Sequence, residues 1–100
     1  MPVIFSADSK RDLAEIGAYI AEDSRSRAVT FVRELRELCD SLTDAALRFP
    51  VVRKIGAFEM RRAILGNYLI FYAVRTDGIF IVRILHAARE YERLLFPRSD

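Results

Sequence analysis

Hydrophobic residues in the first half of the chain recur at helical spacing. Between about positions 8 and 22 they follow one another at intervals of three and four, which predicts a helix with one buried stripe. That stripe consists of Leu13, Ile16, Tyr19 and Ile20. After a polar break over 22–27, a second and longer helix is predicted by the same period through Ala28, Phe31, Val32, Leu35, Leu38, Cys39 and Leu42. Because the break is short, we expect an antiparallel helix hairpin.

The second half of the chain has the composition of strands. Its β-branched and aromatic runs are FEMRRAIL, YLIFYAV and IFIVRILH. They are separated by Gly66-Asn67 and Asp77-Gly78, two-residue signals that favour tight hairpin turns. The pattern therefore predicts three antiparallel strands in a meander.

Three shorter segments complete the predicted architecture. The apolar run 2–5 predicts an N-terminal strand, with Ser6 or Asp8 capping the first helix. The segment 48–56, which contains Pro50, favours a loop, and a short helix over about 90–96 ends at Pro97. The order predicts one α+β domain over residues 1–100, with an N-terminal strand and a helix hairpin packed on a small antiparallel sheet.

The expected strand register divides the sheet residues between two faces. Two-residue turns place on the helix-covered face Phe58, Met60, Ile64, Leu69, Phe71, Ala73, Phe80, Val82, Ile84 and His86. The opposite face, which is the candidate working surface, receives Glu59, Arg61, Ala63, Leu65, Tyr68, Ile70, Tyr72, Val74, Ile81, Arg83 and Leu85. Arg61 and Arg83 are both expected opposite Tyr72. Arg62 falls on the helix-covered face, either as a misfit or because a bulge shifts the register there.

Composition and charge narrow the class of protein. The chain is 52% hydrophobic and 30% charged, as in ordinary globular proteins. We expect a cytoplasmic protein, because no apolar run approaches the roughly 18 residues of a membrane span and no signal peptide is evident. The single cysteine, Cys39, lies on the helix stripe and is expected to be a core thiol. Arginine dominates the sixteen basic residues, which favours an acidic partner, protein or nucleic acid.

The candidate chemistry lies where the last predicted strand ends. Three polar residues fall within six positions there: His86, Arg89 and Tyr91. Together with Lys54, Arg61 and Arg83, they could supply the base, the acid and the cations that metal-independent RNA cleavage requires. The alternative is a hydrogen-bonded structural histidine at the end of an apolar strand. A basic cluster over Arg48, Arg53, Lys54, Arg61 and Arg62 could be a solvated edge or a site for an acidic partner.

Several stretches, taken in order, resemble one known superfamily. They are DLAEIGAYIAED before a long helix, then MRRAILGNYLIFYAV and IVRILHAAREYERLL. Together they resemble the ParE/RelE toxins of type II toxin-antitoxin modules, most closely the ParE branch. The resemblance implies an antitoxin that wraps the helix hairpin and the open sheet edge. It also implies one of two activities, since ParE-like proteins poison DNA gyrase and RelE-like relatives cut messenger RNA on the ribosome.

Two departures from the cleaving branch favour a toxin that acts by binding. Leu69 follows Tyr68 where RelE-like ribonucleases typically carry an arginine, and Ala87 and Ala88 follow His86 where that branch is basic. Both changes remove charge that would hold a phosphate. Tyr91 lies five residues after His86, as a tyrosine often does in the cleaving branch, so the ribonuclease alternative stays open.

The resemblance and the expected register together define the candidate residues. Candidates for target binding are Arg61, Arg62, Tyr72, Arg83, Arg89, Tyr91 and Arg93. If the chain is a ribonuclease, the catalytic candidates are Arg61, Arg83, His86 and Tyr91. Candidates for antitoxin binding are Leu13, Ile16, Tyr19, Ile20, Phe31 and Leu35. The sequence predicts no metal and no cofactor.

Overall fold

The computed structural model describes residues 1–89 and 94–95 and contains two helices and five strands over residues 1–89. In chain order they are β1 (Val3–Phe5), α1 (Ala7–Ala21), α2 (Arg25–Ala45), β2 (Val51–Ile55), β3 (Phe58–Leu65), β4 (Tyr68–Arg75) and β5 (Gly78–His86). The predicted α+β class is confirmed. The predicted C-terminal helix lies outside the described residues except for Leu94 and Leu95, which are helical. Within the described ranges, no helix is long and apolar enough to cross a membrane.

Serine side chains begin both helices. The Ser6 hydroxyl accepts a hydrogen bond from the Ser9 amide at 2.9 Å, which satisfies one of the amides that a helix N-terminus leaves unpaired. Ser24 does the same for the Arg27 amide at the start of α2. Because only residues 22–24 separate α1 from α2, the helices fold back on one another as predicted.

The strands form one mixed sheet in the order β1-β5-β4-β3-β2. β1 pairs with β5 in parallel, whereas the other neighbouring strands are antiparallel. The loop predicted over 48–56 was wrong, because β2 occupies most of it and pairs with β3. The sequence pattern hides β2, since it is an edge strand whose side chains are mostly exposed and do not alternate.

Two-residue turns join β3 to β4 and β4 to β5. Gly66-Asn67 forms the first turn as predicted, and Gly66 has a φ of 59°, a conformation that glycine adopts without steric cost. The second turn is Thr76-Asp77, one residue before its predicted position, because Arg75 pairs with Gly78. Gly78 is needed for another reason: a Cβ atom there would lie 2.7 Å from the Pro2 carbonyl oxygen.

The helices cover the sheet face opposite to the predicted one. The main core packs α1 and α2 against the face that carries Ala63, Ile70, Tyr72, Ile79, Ile81 and Ile84. Leu69, Phe71 and Leu85 form a second cluster with Met60 and Leu95 on the other face. Both faces are apolar, so the alternation of residues predicted the register of β3 and β4 but not the side that meets the helices.

A bulge in β5 also changes which side chains share a face. Tyr72 pairs with Ile81 and Phe71 pairs with Arg83, so Val82 is an extra residue between them. The earlier turn and the bulge together place Arg83 opposite Phe71 and not opposite Tyr72 as predicted. The bulge also changes the face on which Ile84 lies. Ile84 points towards the helices, whereas Leu69 and Phe71, which were predicted on the same face as Ile84, point away from them.

Tyr72 was predicted on the working surface and is instead at the centre of the core. Its side chain is 0% exposed, and its hydroxyl donates a 2.6 Å hydrogen bond to the Ala46 carbonyl oxygen just past the end of α2. The Phe49 ring packs edge-on against it with centroids 6.5 Å apart. Burial is the largest cause of the raised pKa of Tyr72. Tyr72 thus fixes the end of α2 and cannot reach a target.

Removing the Tyr72 hydroxyl should weaken the fold measurably. We expect Tyr72→Phe to lower the free energy of unfolding by about 1 to 2 kcal/mol, because the Ala46 carbonyl loses its partner. Urea unfolding followed by circular dichroism measures the change. Tyr68→Phe is the matched control, since no hydrogen bond of the Tyr68 hydroxyl is found within the described residues. Equal losses in the two variants would contradict the assignment.

Candidate functional site

Arg83 is tied to α1 by the Asp12 carboxylate. Arg83 Nε lies 2.8 Å from Asp12 Oδ2 and Nη2 lies 2.9 Å from Oδ1, a bidentate pair in which Asp12 is only 4% exposed. The Ile84 amide donates a third hydrogen bond to Asp12 Oδ2, at 2.9 Å. The hydrogen bond to Asp12 is the largest cause of the raised pKa of Arg83. This predicted site residue therefore holds helix and sheet together.

Arg61 and Arg62 lie on opposite faces of β3. Arg61 donates from Nη1 to the Phe49 carbonyl oxygen at 2.7 Å and to the Leu47 carbonyl at 3.3 Å, so it holds the segment after α2. Arg62 pairs with Phe71 and lies on the side away from the helices. Its Nε atom is buried and has no hydrogen-bond partner within the described residues. The structure therefore does not bring these two candidates together.

His86 ends β5 beside Tyr68. Its Nδ1 accepts a hydrogen bond from the Ala88 amide at 3.1 Å, and its ring meets Tyr68 edge-on with centroids 5.1 Å apart. The Ala87 amide donates a hydrogen bond to the Asn67 carbonyl oxygen, and the Arg89 amide donates one to the His86 carbonyl oxygen. These two hydrogen bonds hold the chain in place after β5. These contacts form one wall of a cleft between α1 and the sheet end.

That cleft has a volume of about 370 Å³. We call it the α1 cleft, and it is lined by Asp12, Glu15, Ile16, Tyr19, Tyr68, Ile84, Leu85, His86 and Arg89. Tyr19 was predicted to pack between the hairpin and the sheet, which is wrong, because its side chain is 69% exposed. Tyr19 lies on the side of α1 that lines this cleft, together with Asp12, Glu15 and Ile16.

A second depression lies between the outer surfaces of the two helices. This helix groove has a volume of about 700 Å³ and is lined by Gly17, Ala21, Arg25, Ala28, Val29, Val32, Arg33 and Arg36. Its lining is almost entirely apolar apart from the three arginines on α2. Val29 is 59% exposed, so an apolar surface is open to a partner there.

The candidates for antitoxin binding divide according to burial. Leu13, Ile16 and Leu35 were predicted as contact residues but are buried in the protein's own core, so they are not open to a partner. Ile20 and Phe31 are half-buried at its margin. The stripe that predicts a helix face is the face that the sheet covers. Of the candidates, Tyr19 alone is exposed, and the helix groove adds the exposed Val29, which lies next to Ala28 of the predicted stripe.

The last candidates are Tyr91, for target binding or catalysis, and Arg93, for target binding. Tyr91 and Arg93 lie outside the described residues. Cys39 is a fully buried core residue as predicted, and burial raises the pKa of its thiol to about 12, so it stays protonated and unreactive near neutral pH. Among the residues that the structure describes, no three His, Cys, Asp or Glu side chains are grouped so as to hold a metal ion.

Comparison with known proteins identifies the family. Residues 3–91 match the model described as the ParE toxin of the type II toxin-antitoxin system parDE. The chain belongs to the ParE toxin family. This confirms the resemblance read from the sequence. No curated protein sequence matches the chain significantly.

Two solved structures share the fold of this ParE family member. The chromosomal ParDE toxin-antitoxin system from P. aeruginosa aligns with a TM-score of 0.70 and 17% identity, over 86% of this chain and 95% of that one. The archaeal RelE-RelB complex from Pyrococcus horikoshii OT3 aligns with a TM-score of 0.54 and 19% identity, over 87% and 94%. At such identities the likeness establishes the fold alone.

Sequence reasoning missed Asp12, the residue on which this ParE-family site depends. Asp12 precedes Leu13 and lies on the buried side of α1 together with Ser9 and Ile16. A carboxylate at a core-facing helical position is rarely buried without a partner, and arginine is its commonest bidentate partner. That signal was available in the sequence, although it did not say which arginine would pair.

Neutralising Asp12 should destabilise this ParE-family protein strongly. We expect Asp12→Asn to lower the free energy of unfolding by roughly 3 kcal/mol, because the half-buried Arg83 guanidinium loses its counter-charge. Asp8→Asn removes a carboxylate from the exposed pair with Arg11 and should cost less than about 1 kcal/mol. Chemical denaturation of both variants tests this, and a similar cost for the two would show that the Arg83 pair does not stabilise the fold.

Proposed function

We propose that the protein is a cytoplasmic toxin that arrests growth by binding DNA gyrase, without chemistry of its own, and that a cognate antitoxin neutralises it. Membership of the ParE family supports the toxin role. The choice of binding over catalysis rests on the hydrogen bonds that two arginines make within the protein. Arg61 and Arg83, which a cleaving site would need for the phosphate, donate their hydrogen bonds within the protein.

The neighbouring residues support the same choice. A general base must be able to accept the proton of the attacking hydroxyl, but His86 Nδ1 already accepts the Ala88 amide. Leu69 and Phe71 form an apolar cluster on the sheet face away from the helices. A phosphate bound on that face would require positive charge, which these side chains do not supply. An RNA cleavage site assembled here would first have to break these internal contacts.

The helix groove supports a bound antitoxin. The groove is lined by apolar side chains, including the exposed Val29, together with three arginines, and this combination matches an amphipathic helix with an acidic flank, which is a common mode of helix recognition. The outer edge of β2 offers a second contact, since an edge strand presents main-chain groups to an added strand. Both solved relatives come from toxin-antitoxin complexes.

Induction of the protein without its antitoxin separates the two activities. DNA synthesis, the SOS response and protein synthesis are followed in parallel, and co-induction of the antitoxin is the control. We expect DNA synthesis to stop and the SOS response to rise before translation changes. Inhibition of gyrase supercoiling by the purified protein should accompany this result. Early translation arrest with intact replication would reject gyrase and support the ribosome-dependent ribonuclease.

A charge in the helix groove should weaken antitoxin binding. We expect Val29→Asp to raise the dissociation constant at least about tenfold, because it places a carboxylate on apolar surface that the antitoxin would cover. Isothermal titration calorimetry measures the change. Leu47→Asp is the matched control, since Leu47 is 71% exposed beyond the opposite end of α2 and outside the groove. Unchanged affinity in Val29→Asp would place the antitoxin elsewhere.

A further inference from the structure

The α1 cleft carries hydrogen-bond donors that the fold does not use. No hydrogen bond within the described residues involves the hydroxyls of Tyr19 and Tyr68 or the guanidinium of Arg89. His86 adds another donor, because a neutral imidazole whose Nδ1 accepts a hydrogen bond carries its hydrogen on Nε2. The two tyrosines are near one another: after burial, Tyr19 is the second cause of the raised pKa of Tyr68. Four donors thus border one cleft.

The charges around the cleft favour a ligand with a single negative charge. The Asp12 carboxylate is occupied by Arg83 and the Ile84 amide, so it neither attracts nor repels strongly. The remaining charges are Arg89 and Glu15. A monoanion would be balanced by Arg89 and the neutral donors. A phosphate dianion would bring two charges to the single cation Arg89. Glu15 repels either anion and could attract a cation, but a cationic ligand would leave the hydrogen-bond donors of the cleft without an acceptor.

The rest of the lining favours an apolar body on that ligand. Ile16, Ile84 and Leu85 are buried beneath the cleft, so the apolar surface that a ligand can cover comes from the rings of Tyr19, Tyr68 and His86. The rings of Tyr68 and His86 are held edge to face, and Tyr68 also packs on Phe31 with centroids 5.3 Å apart, so this wall is preorganised. Rigid aromatic walls bind flat apolar groups at little cost in side-chain entropy.

We propose that the α1 cleft is a binding site for a carboxylate carried on an aromatic or aliphatic body, as found at a peptide's C-terminus or on an acidic side chain beside an apolar residue. Arg89 pairs with the carboxylate, the tyrosine hydroxyls and His86 donate to it, and the apolar body packs against the rings of Tyr68 and His86. The proposal does not depend on gyrase as the target.

Titration of the full chain by ¹H–¹⁵N NMR with four probes tests the ligand class. N-acetylphenylalanine carries a terminal carboxylate, and N-acetyl-glutamyl-phenylalanine amide carries a side-chain carboxylate. 2-Phenylethylamine and inorganic phosphate are the cationic and dianionic controls. We expect saturable shifts of the Tyr68, His86 and Ala88 amides with at least one carboxylate probe, and the one that binds identifies the source. Equal or stronger binding of the amine or of phosphate, or no binding of either carboxylate, overturns the proposal.

Substitution of Arg89 locates the binding. Arg89→Gln should raise the dissociation constant of the bound carboxylate about tenfold, which is the loss expected for a charged hydrogen bond. Arg27→Gln is the matched control, because Arg27 is exposed on α2 and does not line the cleft. Both side chains are on the surface, and the NMR spectrum reports that each variant is folded. Equal affinity in the two variants would overturn the role of the cleft.

Discussion

The Asp12 carboxylate is the contact through which the helix hairpin and the sheet become one structure. β1 has only three residues and pairs with β5 no further than Ile81. Beyond that point the start of α1 replaces the missing strand: Ser6 bonds the carbonyls of Ile81 and Val82, and Asp12 accepts the Ile84 amide. An unpaired buried amide would otherwise destabilise the fold. The position of α1, and with it the groove on one side and the cleft on the other, follows from these bonds.

The local structure could be predicted from the sequence because it depends on neighbouring residues. The Ser6 cap, the short break between the helices and the Gly66-Asn67 turn are each determined by a few adjacent side chains. The side of the sheet that meets the helices could not be predicted, because β4 is apolar on both faces: Ile70 and Tyr72 point one way, and Leu69 and Phe71 the other. The bulge at Val82 also moves the β5 residues that follow it to the other face, and the alternation of residues alone does not reveal a bulge.

The sequence indicated which types of residue belong to the candidate site, but it did not show that several of them bind other parts of the protein. Arg61, Arg83 and Tyr72 were selected because such residues bind charged targets, but each has an internal partner. The partner of Arg83 is 71 positions away in the sequence, and the partner of Tyr72 is 26 positions away. Pairing over such separations is decided by the tertiary fold. His86 differed, because its hydrogen bond to Ala88 is local, and a structural histidine could be expected at a strand end.

The arginines of this chain show why residue type alone is a poor guide to function. A guanidinium that already donates to a buried carboxylate or to two carbonyls must lose those bonds before it can hold a phosphate, so its availability is low even where it is partly exposed. Arg83 and Arg61 are of this kind. By contrast, no hydrogen bond within the described part of the chain involves the guanidinium groups of Arg25 and Arg33 beside the helix groove or of Arg89 at the cleft. Under the proposed binding function, these outer arginines, which lie on either side of α1, are the ones that can pair with a partner without breaking an internal bond.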